Sequence, residues 1–367
     1  MTDTTYMKLA LQLASATNGQ TNPNPMVGAV VVKNGEIVGV GAHLRAGEAH
    51  AEVHALQMAG EKAQGATLYV TLEPCNHFGK TPPCTEQIIQ SGIARVVIAT
   101  QDNNPLVAGS GIKKLQEASI MVETGLLAEE ATQLNNIFFH TIQHKKPYVT
   151  LKTAMSLDGK IASTTGESKW ITGSQARMDV HQYRHQHDAI LVGVNTIIAD
   201  NPSLTTRLPN GGKNPIRIIL DTHLRTPLSA KVLHDNAAPT WLVTGASVSE
   251  EQIRQYESYA SILSMPTERI SVPNLLQVLY EQGISSLFVE GGSQIHASFI
   301  ESHMYNQLVI YMSGHLIGGQ QAPTFFGGTG FSLQDAPKLY IASVEQMGDD
   351  IKLIARRKEE NYVYRHY

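Results

Sequence analysis

His50-Ala51-Glu52 is followed by Pro74-Cys75 and then by Cys84. One imidazole and two thiolates are three donors that suit zinc, and a catalytic zinc takes three protein ligands so that water can occupy the fourth position. Such a metal lets water ionise near neutral pH, and Glu52 is placed to carry that proton to a departing amine. Hydrolytic deamination is the chemistry these residue types imply. The first half of the zinc-deaminase pattern, H-x-E, is present, but the short P-C-x-x-C knuckle is not. Eight residues, Asn76 to Pro83, separate Cys75 from Cys84. The competing reading is two unrelated buried thiols and a solvated acid. These are the only two cysteines in 367 residues and both follow the H-x-E, which favours the metal. A structural disulfide is disfavoured in a chain this large without a secretion signal.

The residues around this cluster must supply a scaffold. A chain of 367 residues with 42% hydrophobic and 16% charged residues suggests two globular domains, each with its own core. A net charge of −4 gives no general attraction for nucleic acid or anionic lipid, so a small-molecule substrate is expected, with no nucleic-acid and no membrane partner. No stretch approaches the roughly 18 apolar residues of a membrane helix, and the opening residues lack a basic, then apolar, targeting pattern. A cytoplasmic homo-oligomer is the expectation.

Apolar spacing predicts a helix over residues 6–16. Predicted strands at 27–32 and 36–41 flank Asn34-Gly35, a strong two-residue hairpin signal. A helix over 50–60 places His50 and Glu52 in its first turn. Strands at 67–71 and 95–100 enclose a helix at 84–90, and a single helix is predicted over 125–140. The basic segment Gln143-His144-Lys145-Lys146-Pro147 then divides the chain into domains 1–145 and 146–367. A second alternation follows, with strands at 148–152, 189–192, 216–220, 240–243, 286–289 and 307–311 and a helix over 293–300. The fold class is α/β in both halves.

Three segments of the first half, Thr21-Asn22-Pro23-Asn24-Pro25-Met26-Val27-Gly28, His50-Ala51-Glu52 and the run from Pro74-Cys75 through His77-Phe78-Gly79-Lys80 to Cys84, closely resemble the bifunctional riboflavin-biosynthesis deaminase/reductase family. The long cysteine insert is that family's form of the pattern. In the second half, Leu151-Lys152-Thr153-Ala154-Met155-Ser156-Leu157-Asp158-Gly159-Lys160-Ile161, Ser168-Lys169-Trp170, Gly193-Val194-Asn195-Thr196, the run Asp200 to Arg207 and Val289-Glu290-Gly291-Gly292-Ser293 follow the family's order. The resemblance implies an N-terminal cytidine-deaminase-like domain and a C-terminal dihydrofolate-reductase-like domain. It implies zinc-dependent deamination of 2,5-diamino-6-ribosylamino-4(3H)-pyrimidinone 5′-phosphate and NADPH-dependent reduction of the ribosyl group of 5-amino-6-(5-phosphoribosylamino)uracil to ribityl.

Within the first domain the resemblance assigns His50, Cys75 and Cys84 to zinc and Glu52 to proton transfer. Asn24 would meet the pyrimidine edge, and His77 and Lys80 the substrate phosphate; His43 is a weaker candidate. In the second domain Ala154, Trp170, Thr196, Asp200, Thr222 and the segment Gly292, Ser293, Gln294, Ile295, His296, Ala297 and Ser298 would contact NADPH. Lys152, Ser168, Arg184, Leu204, Arg207 and Glu290 would contact the substrate, the two arginines suiting phosphate through their planar fork of donors. No strand-linked G-x-G-x-x-G is present, so Gly291-Gly292 at a strand-to-helix turn is the expected phosphate approach. Glu290, one residue earlier, is expected to orient the ribosyl chain rather than bind phosphate.

Overall fold

The computed structural model describes residues 1–78, 82–102 and 108–357. The chain divides into two compact units, Met1–Lys145 and Lys146–Tyr367.

The first unit runs α1 (Asp3–Ser15), β1 (Gly28–Lys33), β2 (Glu36–Ala42), α2 (Ala51–Ala59), β3 (Thr67–Leu72), α3 (Cys84–Gln90), β4 (Arg95–Thr100), α4 (Ser110–Glu117), β5 (Met121–Thr124), α5 (Ala128–Leu134) and α6 (Asn136–His144). Its sheet has the order β2-β1-β3-β4-β5; β1 pairs antiparallel with β2 and β3, and β3, β4 and β5 are parallel. The hairpin closes through Asn34 (φ 51°) and Gly35 (φ 83°), the two left-handed positions that a primed turn requires. Alternation along the central strands sends Val30, Val32 and Tyr69 to α1, and Val31, Leu68 and Val70 to the opposite face, where Ala51, Ala55 and Leu56 of α2 and Ile88 of α3 cover them.

The helix α2 lies almost on the backbone of β2. A Cβ at Gly39 would fall 2.1 Å from the Ala55 carbonyl, and one at Gly41 would fall 2.2 Å from the Ala51 carbonyl. The continuous helix expected over 125–140 is interrupted. Asn135, buried, spends its side chain on the backbone N–H and carbonyl of Met26 at 2.8 and 2.9 Å, so α5 ends at Leu134 and α6 starts anew. Helix α4 and strand β5 are elements that periodicity did not reveal.

Among its described residues the second unit has nine strands in the order β10-β9-β8-β7-β11-β6-β12-β14-β13. They are β6 (Tyr148–Ser156), β7 (Ala189–Gly193), β8 (Ile216–Leu220), β9 (Thr240–Thr244), β10 (Ser261–Ser264), β11 (Ser286–Val289), β12 (Gln307–Ser313), β13 (Leu339–Met347) and β14 (Asp350–Arg357). From β10 to β12 all neighbours are parallel, and β14 and β13 close the sheet as an antiparallel ribbon. Helices α7 (Ser174–Gln186), α8 (Val194–Asp200), α9 (Lys231–His234), α10 (Glu250–Arg254), α11 (Val272–Glu281) and α12 (Ser293–Glu301) connect the parallel strands. Leu275, Leu276 and Leu279 of α11 and Phe299 of α12 cover one face of the sheet, while Ala176 and Val180 of α7 and Ile197 of α8 cover the other. Each fully buried Leu or Phe of this kind contributes about 1.5–3 kcal/mol.

Because α2 carries the residues after His50, its seating on glycine backbone fixes the position of the metal cluster. Gly41→Ala should force the helix away from β2 at a cost of about 1–3 kcal/mol. Native-state hydrogen exchange would read this as faster exchange over Ala51–Ala59, and undiminished protection there would refute the close-packing argument.

Candidate active sites

In the first domain, His50 is the N-cap of α2 and Cys84 is the first residue of α3, while Cys75 leaves the carboxyl end of β3. Two helix N-termini thus converge on one strand end. His50 Nδ1 lies 3.2 Å from Cys84 Sγ and 3.5 Å from Cys75 Sγ, and the three donor atoms all lie within 4.8 Å of one another. Both cysteines are free thiols. Cys75 is held as thiolate, its pKa brought down to about 4 by hydrogen bonds from Cys84 and His50, and the Cys84 thiol is pushed up by Cys75 and by burial. Two sulfurs and an imidazole that compete for so few protons are a donor set for a thiophilic cation, so the residues fit zinc.

Glu52, in the first turn of α2, is buried and its Oε2 has no hydrogen-bond partner among the described residues. Burial first, and then the charge on Cys75, raise its pKa to about 7. It faces a cavity of about 510 Å³ that His50 and Cys75 also line, together with Asn24, His43, His77 and Phe138. Asn24 is oriented by His43: the imidazole Nε2 sits 3.0 Å from Asn24 Nδ2, and Nδ1 lies 3.2 Å from the Ala49 carbonyl. Burial depresses the His43 pKa, so the ring is neutral and accepts from the amide while donating to the carbonyl. Lys80 lies outside the described residues.

In the second domain, Glu290 follows β11 and is the centre of a charge cluster. Arg184, in the last turn of α7, reaches it through Nε at 2.6 Å and Nη2 at 3.1 Å, and Lys152 of β6 lies at 3.5 Å. Burial pushes the Glu290 carboxyl up, but Arg184 and Lys152 overcome it and hold the group at about 2. Arg184 also donates to the Thr205 carbonyl at 2.9 Å, so its fork is committed to the protein. Arg184, expected to offer that fork to a sugar phosphate, thus meets Glu290 and Thr205 through Nε, Nη1 and Nη2. Arg207, exposed, donates to His181 Nε2 at 3.4 Å. Burial and the charges of Arg184 and Arg207 push His181 down to about 4, which leaves it a neutral acceptor. Leu204 is buried with a left-handed backbone (φ 53°), in a loop whose Ser203 carbonyl is held by the buried Arg217.

A second cavity, of about 440 Å³, opens at the carboxyl ends of β7, β8 and β11, and is lined by Thr196, Thr222, Gly292, Ser293, Gln294, Ile295 and Ser298 among others. Gly291 is required by packing, since its Cβ would meet the Ile295 side chain at 2.5 Å, whereas the Cα of Gly292 faces open space. The first turn of α12 has no side-chain cap, so its N–H groups are available to an anion. This is a cradle that fits the phosphates of a dinucleotide. His296 and Ala297 of the same segment are buried in α12 and are not among the residues lining this cavity. Ala154, Trp170 and Asp200 also lie outside its lining; Trp170 is exposed beneath the Arg177 guanidinium and Asp200 pairs with Lys169 at 3.0 Å. Ser168 is half-buried in the turn before Trp170.

Sequence reasoning missed Glu73, Asn135 and Phe138. The buried carboxylate of Glu73 accepts four backbone N–H groups, from Asp102, Gly109, Gly111 and Ile112, and so anchors the start of α4 beside the cavity. The available signal was an acid directly before Pro74-Cys75 at a strand end.

The family model described as the cytidine and deoxycytidylate deaminase zinc-binding region matches residues 1–100, and that of the RibD C-terminal domain matches residues 147–353. The riboflavin biosynthesis protein RibD of Bacillus amyloliquefaciens is 54% identical over 96% of this chain and 96% of its own length. That of Escherichia coli is 41% identical over 96% of this chain and 99% of its own. A crystal structure from Thermotoga maritima, described as a diaminohydroxyphosphoribosylaminopyrimidine deaminase/5-amino-6-(5-phosphoribosylamino)uracil reductase, superposes with a TM-score of 0.88 at 39% identity, covering 96% of this chain and 98% of that one.

The Glu290 cluster makes the second domain acid-sensitive. A carboxyl whose pKa is depressed on folding stabilises the fold above its ordinary value of 4.5, and that contribution is lost as pH falls from there towards about 2. Trp170 and Trp241 are the chain's only tryptophans, so their fluorescence follows this domain alone. The urea midpoint should fall across that window, and less steeply in Glu290→Gln; parallel profiles for the two proteins would exclude Glu290 as the group responsible.

Proposed function

Because the chain belongs to the RibD family of riboflavin biosynthesis, which joins a zinc-binding deaminase domain to a reductase domain, we propose that it hydrolytically deaminates 2,5-diamino-6-ribosylamino-4(3H)-pyrimidinone 5′-phosphate and then reduces the ribosyl group of 5-amino-6-(5-phosphoribosylamino)uracil with NADPH. The observation that carries this reading is the convergence of His50, Cys75 and Cys84 beside a buried Glu52 carboxylate with one unpartnered oxygen. When bound, zinc supplies the acidity that lets water act as a nucleophile near neutral pH, and the nicotinamide supplies hydride.

His50, Cys75 and Cys84 would hold the metal. With a pKa of about 7, Glu52 can take a proton from the attacking water and return it to the leaving nitrogen, so that ammonia departs. Asn24, fixed by His43, presents its amide to the pyrimidine edge, and His77 and Lys80 take the substrate phosphate. In the second domain Glu290, itself anchored by Arg184, accepts from the ribosyl hydroxyls while Lys152 polarises the C1′ end. Arg207 serves the phosphate, and Ser168 and Leu204 complete the substrate contacts. Thr196, Thr222 and the run Gly292 to Ile295 with Ser298 hold the dinucleotide, with Ala154, Trp170 and Asp200 at its edges.

Free thiols support a reducing, cytoplasmic setting. Among the described residues no helix is long and apolar enough to cross a membrane. A homo-oligomer is supported by β13, a nine-residue edge strand that exposes Ile341 and Val344; a single-chain mass by equilibrium sedimentation at micromolar concentration would discount it.

Incubation with the diaminopyrimidine ribosyl phosphate should give the deaminated product without NADPH and the ribityl product with it, as followed by mass spectrometry. Glu52→Gln should abolish the first step with zinc retained, and Cys75→Ser or Cys84→Ser should lose zinc. Glu290→Gln should slow reduction by roughly 100-fold and leave deamination intact. Deamination by Glu52→Gln at the wild-type rate would remove the basis of the proposed chemistry.

A further inference from the structure

The cavity of the second domain has an electrostatic asymmetry along its length. At one end stands the uncapped first turn of α12, after β11. At the other end, Arg225 leaves the turn after β8 and Arg269 the segment after β10. Neighbouring strands lie about 4.8 Å apart, so these arginines spring from strands roughly 10 and 19 Å across the sheet from β11. Both are exposed, and among the described residues lining the cavity there is no carboxylate.

Two acids are adjacent in sequence to lining residues: Glu268, beside Arg269, is exposed and is not among the lining residues, and Asp221 is turned away. Asp221 follows β8, where a carboxylate would be placed to accept a ribose diol, but it is fully buried. Its two oxygens are taken by the backbone N–H of Arg225 at 2.8 Å, and by the N–H and hydroxyl of Thr226, both at 2.7 Å. Asp221 therefore builds the turn that presents Arg225. The guanidinium is steadied by one bond, Nη2 to Asn195 Oδ1 at 3.0 Å, and Arg225 lines the cavity. Arg269 has no ion pair among the described residues.

Resting on the reading of this domain as an NADPH site, we infer that Arg225 and Arg269 bind the 2′-phosphate of the adenosine half and set the preference for NADPH over NADH. A phosphate monoester carries a charge of about −2 and accepts from guanidinium forks, whereas a free 2′-hydroxyl offers no charge to two cations and no acid to receive it. In dinucleotide sites generally, an acid selects the hydroxyl and an arginine the phosphate.

The test is equilibrium binding to the full-length chain, followed by nicotinamide fluorescence, with 2′,5′-ADP and 5′-ADP as competitors. Wild type should prefer NADPH by about 100-fold, and 2′,5′-ADP should compete far better than 5′-ADP. Arg225→Gln and Arg269→Gln should each weaken NADPH about tenfold, a modest loss because both side chains meet water, and leave NADH unchanged. Tryptophan fluorescence checks that the variants are folded. Equal weakening of both nucleotides would assign the arginines to the pyrophosphate and overturn the inference, as would unaltered NADPH binding in both variants. Failure of wild type to bind either nucleotide would instead sink the NADPH reading on which the inference rests.

Discussion

An ionised group taken out of water must be met by opposite charge, by aligned backbone donors or by metal, and in both domains this requirement decides where the chemistry sits. Glu73 is met by four N–H groups, Glu290 by Arg184 and Lys152, and Asp221 by the turn it caps. Each therefore fixes a backbone segment or a cation in place. Glu52 is the exception. It is as deeply buried as these acids but has an oxygen without a partner, and its elevated pKa follows from that isolation. The scaffold satisfies its other buried acids and leaves one oxygen of this one unsatisfied beside the metal-ligand cluster.

Close backbone approach is the second determinant. Glycines at 39 and 41 let α2 touch β2, and that contact carries His50 and Glu52 to the strand end from which Cys75 emerges. The same device recurs at Gly291, whose missing side chain lets Ile295 fold back so that α12 begins immediately after β11. In both places helix N-termini gather at the carboxyl ends of parallel strands, where their unpaired N–H groups favour thiolate or phosphate.

These arrangements were unequally legible in the sequence. The metal cluster could be read because its members are rare residue types within a short span, and the hairpin because Asn34-Gly35 admits few other conformations. Most strands could be read because each is a short apolar run bounded by turn residues. Strands β13 and β14 could not, since β13 is exposed along nearly its whole length and lacks the alternation that a buried face imposes. The break between α5 and α6 was hidden because Asn135 within an apolar helical pattern looks like a tolerated polar residue until its bonds to Met26 are seen.

Arg184 marks the limit of reasoning from side-chain chemistry alone. A guanidinium suits phosphate, but it suits a carboxylate equally, and the choice depends on which anion the fold buries beside it. Glu290 comes from a distant strand that only the parallel order β7-β11-β6 brings next to α7 and Lys152. Once that pair forms, the carboxylate offsets one of the two cations on it, Arg184 and Lys152, and a further positive charge stands outside on Arg207, which rests on a neutral His181 rather than on an acid. An arginine supported by an uncharged acceptor keeps its full charge for an incoming anion. The inner arginine thus fixes the Glu290 carboxylate, and the outer one stays exposed on a neutral acceptor.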